Sequence, residues 1–173
     1  YILNGLKNWA GGYMDVCNNS QYSGAKYNVY TCSSKDRAGK ATGSWTVESA
    51  VDKKIGNNVL SCDFIFLKNM YLNDGGYLSI AQSSGGIATF DKQNQDRNAM
   101  MWRIFAEKKD LSESDGVVYY GDTLRFFNGF INNGEGCFLD ASGSAGFDPE
   151  LYNVTTTKSS CRVSGSSLWV CSK

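Results

Sequence analysis

The chain has no histidine, a single proline and no net charge. Each shortage closes off a class of function. Without histidine there is no imidazole to serve as a general base or to complete a nucleophilic triad. Seventeen basic and seventeen acidic residues leave no electrostatic drive toward nucleic acid or an anionic membrane. Apolar runs are short, and none approaches the roughly 18 residues that a membrane span needs. The six cysteines include no Cys-x-x-Cys pair, so a thiolate metal site is poorly supported and disulfides are the better reading. No paired-carboxylate or nucleophile motif stands out, and the glycine-rich stretches do not introduce helices. The chain therefore reads as a non-enzyme without metal or cofactor.

What is present is repetition within 173 residues, a length that suits one well-buried domain. Tyr27-Asn28-Val29-Tyr30 runs on to Arg37, Ile87-Ala88-Thr89-Phe90 to Arg97, and Tyr152-Asn153-Val154-Thr155 to Arg162. In each copy the first residue and the arginine are ten positions apart, and a tryptophan follows: Trp45, Trp102, Trp169. A second series precedes these, in Gly12-Tyr13-Met14-Asp15, Gly76-Tyr77-Leu78-Ser79 and Cys137-Phe138-Leu139-Asp140. Ahead of each lies an apolar run ending in an Asn- or Gly-rich turn, at residues 1–5, 63–69 and 122–129.

Alternation with period two makes these segments strands. Trp45 and Val47, Trp102 and Ile104, and Trp169 and Cys171 share faces. So do Met14 and Val16, Leu78 and Ile80, and Leu139 and Ala141. Turn formers at Asn18-Asn19-Ser20, residues 83–86 and Ser142-Gly143-Ser144 separate strands, and residues 107–115 read as a polar connection. Three repeats of four strands predict an all-β chain, a single β-trefoil with pseudo-threefold symmetry and repeats near 1–58, 59–116 and 117–173. Six strands would close a barrel and three hairpins would cap one end, with the tryptophans in the core.

Through these repeats the chain resembles the ricin-B-like β-trefoil lectins and, more loosely, fascin-type trefoil modules. The family's Gln-any-Trp signature stands here as Gly43-Ser44-Trp45, Met100-Met101-Trp102 and Ser167-Leu168-Trp169, with every tryptophan kept and every glutamine lost. The cysteine usage points to an oxidising, extracellular compartment, and the resemblance implies a carbohydrate-binding module whose partners are glycans or glycoproteins. It implies a site built from an Asp on the second strand, an aromatic near the end of the third and polar residues beyond. In repeat one these are Asp15, Tyr30, Asn28 and Lys35. Asp15 would accept sugar hydroxyls and Tyr30 would stack on the sugar's C–H face. Repeat three keeps Asp140, with Phe147 or Tyr152 to replace its missing aromatic. Repeat two has Ser79 in place of the Asp. The alternative is that Asp15 and Asp140 pair with the recurring arginines and hold the hairpins.

The resemblance also implies a disulfide between Cys17 and Cys32, across the hairpin of repeat one. It leaves open the pairing of Cys62, Cys137, Cys161 and Cys171. Asn18-Asn19-Ser20 and Asn153-Val154-Thr155 are glycosylation sequons. Repeats two and three enter their first strands through Cys62-Asp63-Phe64 and Gly121-Asp122-Thr123, and repeat one opens at Tyr1, so further sequence upstream is expected. A competing function is a structural module of an extracellular assembly, in which exposed Trp9, Tyr22 and Tyr71 would meet a protein partner.

Overall fold

The computed structural model describes residues 1–37, 39–51, 58–81, 86–107, 115–131, 134–160 and 162–173. Cys161, the turn at 83–85 and most of the 107–115 connection lie outside these. Among the described residues, twelve strands form one antiparallel network. They are β1 (Ile2–Asn4), β2 (Tyr13–Asn19), β3 (Ala25–Cys32), β4 (Trp45–Ser49), β5 (Phe64–Asn69) and β6 (Gly76–Ile80). They continue with β7 (Ile87–Phe90), β8 (Trp102–Glu107), β9 (Thr123–Asn128), β10 (Cys137–Ser144), β11 (Glu150–Thr157) and β12 (Trp169–Cys171).

The pairing separates two sets of strands. One ladder runs β4–β5–β8–β9–β12–β1 and makes the barrel. The other set is three hairpins, β2–β3, β6–β7 and β10–β11, in which β3 also pairs with both β7 and β11. Among the described residues the barrel ladder does not join β4 to β1. Between them opens a cavity of about 540 Å3, lined in part by Tyr1, Trp45, Val47, Ile104, Tyr120 and Cys171. No helix among the described residues is long and apolar enough to cross a membrane.

Three hydrogen bonds fasten the hairpins to the barrel in the same way. The indole N–H of Trp45 donates to Met14 O (2.9 Å), that of Trp102 to Leu78 O (3.0 Å) and that of Trp169 to Leu139 O (3.1 Å). Trp102 and Trp169 are fully buried, whereas Trp45 is only partly covered because its ring borders the open cavity. A large ring with one donor suits this place, since its apolar body fills the core and its N–H satisfies a buried carbonyl.

The Asn-rich turns hide a second fastening. Asn4, Asn69 and Asn128 end β1, β5 and β9 and are completely buried. Each Oδ1 accepts the backbone N–H two residues on, from Leu6 (3.0 Å), Tyr71 (2.9 Å) and Phe130 (2.8 Å). Each Nδ2 donates to a carbonyl far away in sequence: Ser166 (2.8 Å), Thr42 (2.8 Å) and Ala99 (3.0 Å). A Cβ on Gly11 or Gly75 would overlap the Asn4 or Asn69 side chain, so glycine is needed beside the pin. Two expected turns are strand continuations instead. β2 reaches Asn19 and β10 reaches Ser144, each across a bulge at Asn18 (φ 55°) or Gly143 (φ 66°), positions where the left-handed backbone takes up the extra residue.

Candidate functional site

The register brings three of the four repeat-one site residues to one face of the β2–β3 hairpin. Asp15 pairs with Tyr30, and Asn28 pairs with Cys17. Tyr30 is half-buried and meets Phe147 edge-on, with centroids 5.2 Å apart. The Asn28 amide donates to Asn19 O (3.4 Å), within its own hairpin. Lys35 goes elsewhere: its ammonium stands 5.3 Å from the Tyr1 ring centroid and 5.8 Å from that of Tyr13.

Asp15 does not face solvent. Its side chain is 0 % exposed, and Arg37 folds over it with Nε 3.5 Å from Oδ1. The same Nε lies 3.1 Å from Oε1 of Glu150, another fully buried carboxylate, delivered from β11. Burial pushes the Asp15 carboxyl up to about 6, helped by the nearby Glu150 charge and opposed by the Thr42 hydroxyl and Arg37. Glu150 is likewise raised, chiefly by burial. Asp140 is buried too, and accepts from Arg162 Nε (2.9 Å) and Nη2 (2.6 Å). Both aspartates thus follow the ion-pair alternative. The arginines cover the carboxylates that a sugar hydroxyl would have to reach.

The Cys17–Cys32 disulfide is a correction. Both cysteines are buried free thiols. Cys17 lies opposite Asn28 and Cys32 opposite Tyr13, so they are four ladder positions apart. At a strand rise of about 3.3 Å that is roughly 13 Å, beyond the roughly 7 Å a bridge tolerates. Burial raises both thiols, Cys17 to about 11, and the nearby Glu150 charge adds to the effect.

Repeat two shows what the arginines do. Arg37 Nη2 donates to Val16 O (3.1 Å) and Arg162 Nη2 to Ala141 O (3.1 Å). The matching carbonyl in repeat two, Ile80 O, accepts from Gln95 Nε2 (3.0 Å), not from Arg97. Arg97 donates to Ala50 O and lies over the Phe66 ring, 5.5 Å from its centroid. Its ten-residue spacing in the sequence does not mark an equivalent role.

An open site lies elsewhere. A cleft of about 430 Å3 separates the start of β5 and β8 from the turn after β9, and Phe64, Arg103, Phe127 and Phe130 line it with Asn98 and Met101. Phe64 and Phe130 are 37 % and 42 % exposed, unusual for rings of this size. The Asn128 pin holds the Phe130 backbone, and Phe127 is braced edge-on against Phe138 at 5.3 Å. The Arg103 guanidinium lies over Phe64 at 5.5 Å and over Phe105 at 5.4 Å. Alternation puts Phe64 and Arg103 on the outer face of the barrel, opposite Ile65 and Trp102. The one sequence signal was Phe64 itself, which makes Phe64-Ile65-Phe66-Leu67 a continuous apolar run where one face should be polar. Among the described residues no group of three or more metal-ligating side chains is placed to hold an ion.

No family model matches the chain, and no curated protein matches it by sequence. Solved structures do match. The SDF2-like protein from Arabidopsis thaliana superposes with a TM-score of 0.72 at 14 % identity, over 99 % of this chain and 90 % of that one. The receptor-binding domain of botulinum neurotoxin D gives 0.62 at 16 % identity, over 98 % of this chain and 39 % of that one. The Saccharomyces cerevisiae protein O-mannosyltransferase Pmt1–Pmt2 complex bound to its sugar donor gives 0.61 at 16 % identity, over 98 % and 24 %. These are β-trefoil-like folds, and at such identities the likeness speaks for the fold alone.

Proposed function

We propose that the chain is a non-catalytic carbohydrate-binding module that works outside the cell, a single β-trefoil of three four-stranded repeats near 1–58, 59–116 and 117–173. The observation that carries the reading is the cleft at Phe64, Phe127 and Phe130. It offers exposed aromatic faces beside one guanidinium and one amide. Sugars bind to such surfaces because their axial C–H bonds pack on a ring while their hydroxyls take directed hydrogen bonds. Neighbours of similar fold occur in a sugar-donor-bound mannosyltransferase complex and in a toxin's receptor-binding domain, which supports the reading by analogy. An open cleft leaves much of a sugar in water, so a single site binds weakly and strength comes from multiple copies.

A glycan array followed by titration tests this. Phe130→Ala should weaken binding about tenfold or more, through loss of the stacking face. Tyr30→Ala, in the hairpin corner with Phe147, should leave it unchanged. The reverse pattern would move the site to that corner, and silence across the array would remove the reading.

The cavity between β4 and β1 favours a second reading, an assembly module. Its rim carries Tyr119 and Tyr120, 54 % and 66 % exposed, beside apolar Val47 and Val118. Such a surface suits protein contact. Concentration-dependent sedimentation that Tyr120→Ser abolishes, together with a silent array, would favour it.

A further inference from the structure

We propose that the sugar taken by the Phe64–Phe130 cleft carries a carboxylate, and that Arg103 is the residue that selects it. The inference rests on reading this cleft as a carbohydrate site. Arg103 sits on β8 beside Trp102, and its Nε donates to Cys62 O (3.2 Å). Its guanidinium is held between the rings of Phe64 and Phe105, at 5.5 and 5.4 Å. The outer Nη atoms have no protein partner among the described residues, so the fork is fixed at its base and free at its tip.

Nearby acids are committed to backbone groups. Asp63 Oδ2 accepts the Leu60 N–H (2.8 Å), and Asp96 Oδ1 accepts the Asn98 N–H (2.7 Å). Among the described residues neither is a hydrogen-bond or ion-pair partner of Arg103, whose Nε bonds to Cys62 O. A planar guanidinium with two unmatched N–H donors fits a carboxylate in a paired, charge-assisted contact that a hydroxyl cannot reproduce. Stacking has already restricted the side chain, so little rotamer freedom is lost on binding. Asn98 completes the set. Its side-chain amide is exposed and has no protein partner among the described residues, leaving a donor and an acceptor for a ring hydroxyl.

The cleft therefore divides its tasks. Phe127 and Phe130 supply a floor for the apolar face of the sugar, and any sugar with a flat C–H face can use it. Arg103 supplies the one strong directional contact, and only an acidic sugar can use that. Selectivity for uronic-acid-type over neutral sugars follows from a guanidinium whose tip has no partner among the described residues.

The test uses the whole chain and an array of oligosaccharides in matched pairs, each hexuronic acid beside its carboxyl-reduced neutral counterpart. The strongest pair is then titrated with the parent, Arg103→Gln, Arg103→Lys and Phe130→Ala. The acidic member should bind about tenfold or more tightly than its partner. Arg103→Gln should bring the two members level, Arg103→Lys should keep part of the difference, and added salt should weaken only the acidic member. Thermal unfolding of both Arg103 variants near the parent midpoint excludes a folding defect, and Arg103→Lys serves alone if Arg103→Gln fails to fold. Equal binding within every pair, or an acidic preference that survives Arg103→Gln, would overturn the inference while Phe130→Ala still decides whether the cleft binds sugar. A preference for sulfated over carboxylated sugars would overturn the carboxylate assignment. No binding by any member would take down the underlying reading and the inference with it.

Discussion

The hairpins β2–β3 and β10–β11 carry the same buried Asp and the same arginine, in different surroundings. In the later hairpin Asp140 is the one carboxylate paired with Arg162 among the described residues, at 2.6 and 2.9 Å. In the earlier one Arg37 stands 3.5 Å from Asp15, because it is also 3.1 Å from Glu150. One cation answers one carboxylate in one place and two in the other. The middle hairpin uses no charge there at all, with Ser79 in the Asp position and Gln95 reaching Ile80 O. What the three share is a long side chain donating to a second-strand carbonyl. The charge is an addition, and its balance differs from repeat to repeat.

The tryptophans sharpen this contrast most. Trp169 is fully buried, whereas Trp45 borders the open cavity between β4 and β1. Trp169→Ala should cost about 3–5 kcal/mol of stability, as expected for truncating a buried aromatic. Trp45→Ala should cost less, about 2 kcal/mol, because part of its ring is already wet and the space left behind opens to water. Urea unfolding of both variants measures the difference. Equal losses would mean that the first repeat is packed as tightly as the third.

Next in size is the ion pair itself. Arg162→Gln leaves Asp140 buried without its cation and should cost about 2–3 kcal/mol at neutral pH, less than a fully enclosed pair because Arg162 is 37 % exposed. Adding Asp140→Ser recreates the uncharged arrangement of the middle hairpin and should restore most of that loss. A double variant as unstable as the single one would show that the arginine contributes through packing and not through charge.

Strand positions were legible because period-two alternation is a local signal. Of the tryptophans expected in the core, Trp102 and Trp169 are buried and Trp45 only partly, and their shared indole hydrogen bonds were not legible. The asparagine pins were legible only as turns, since their carbonyl partners lie up to 162 residues away. With Ser79 in the Asp position Arg97 needed another partner; it lies only five positions before its tryptophan, against eight and seven in the other repeats, and Gln95 takes the strand carbonyl. Burial of Asp15 was not legible either. It depends on Glu150, which arrives from β11 and which no pattern within repeat one announces; only the pairing with Arg37 stood among the alternatives. The aromatic cleft has the same character, since Phe64, Arg103 and Phe130 come from three separate segments of the chain.

The smallest effect concerns protons. Asp15 titrates at about 6 in the folded protein, against 3.8 for an ordinary aspartate. A raised folded pKa means that the native state holds the proton more tightly than the unfolded chain does. Its contribution to stability is complete below about pH 4 and is lost as the pH climbs through about 6. The groups that face Asp15 are Arg37, Glu150, Cys17, Cys32 and Thr42, and among them Glu150 is shifted in the same direction. Asp15→Asn removes one carboxylate and leaves Arg37 with Glu150 alone, one cation to one anion as in the third repeat. The variant should match the parent near pH 4 and exceed it by about 1 kcal/mol at pH 7.5, with the gap opening between pH 4 and 6. Urea unfolding at four pH values across that range follows the gap directly. A gap that does not change with pH would mean that Asp15 is already charged in the acidic native state, and that the two hairpins are electrostatically alike after all.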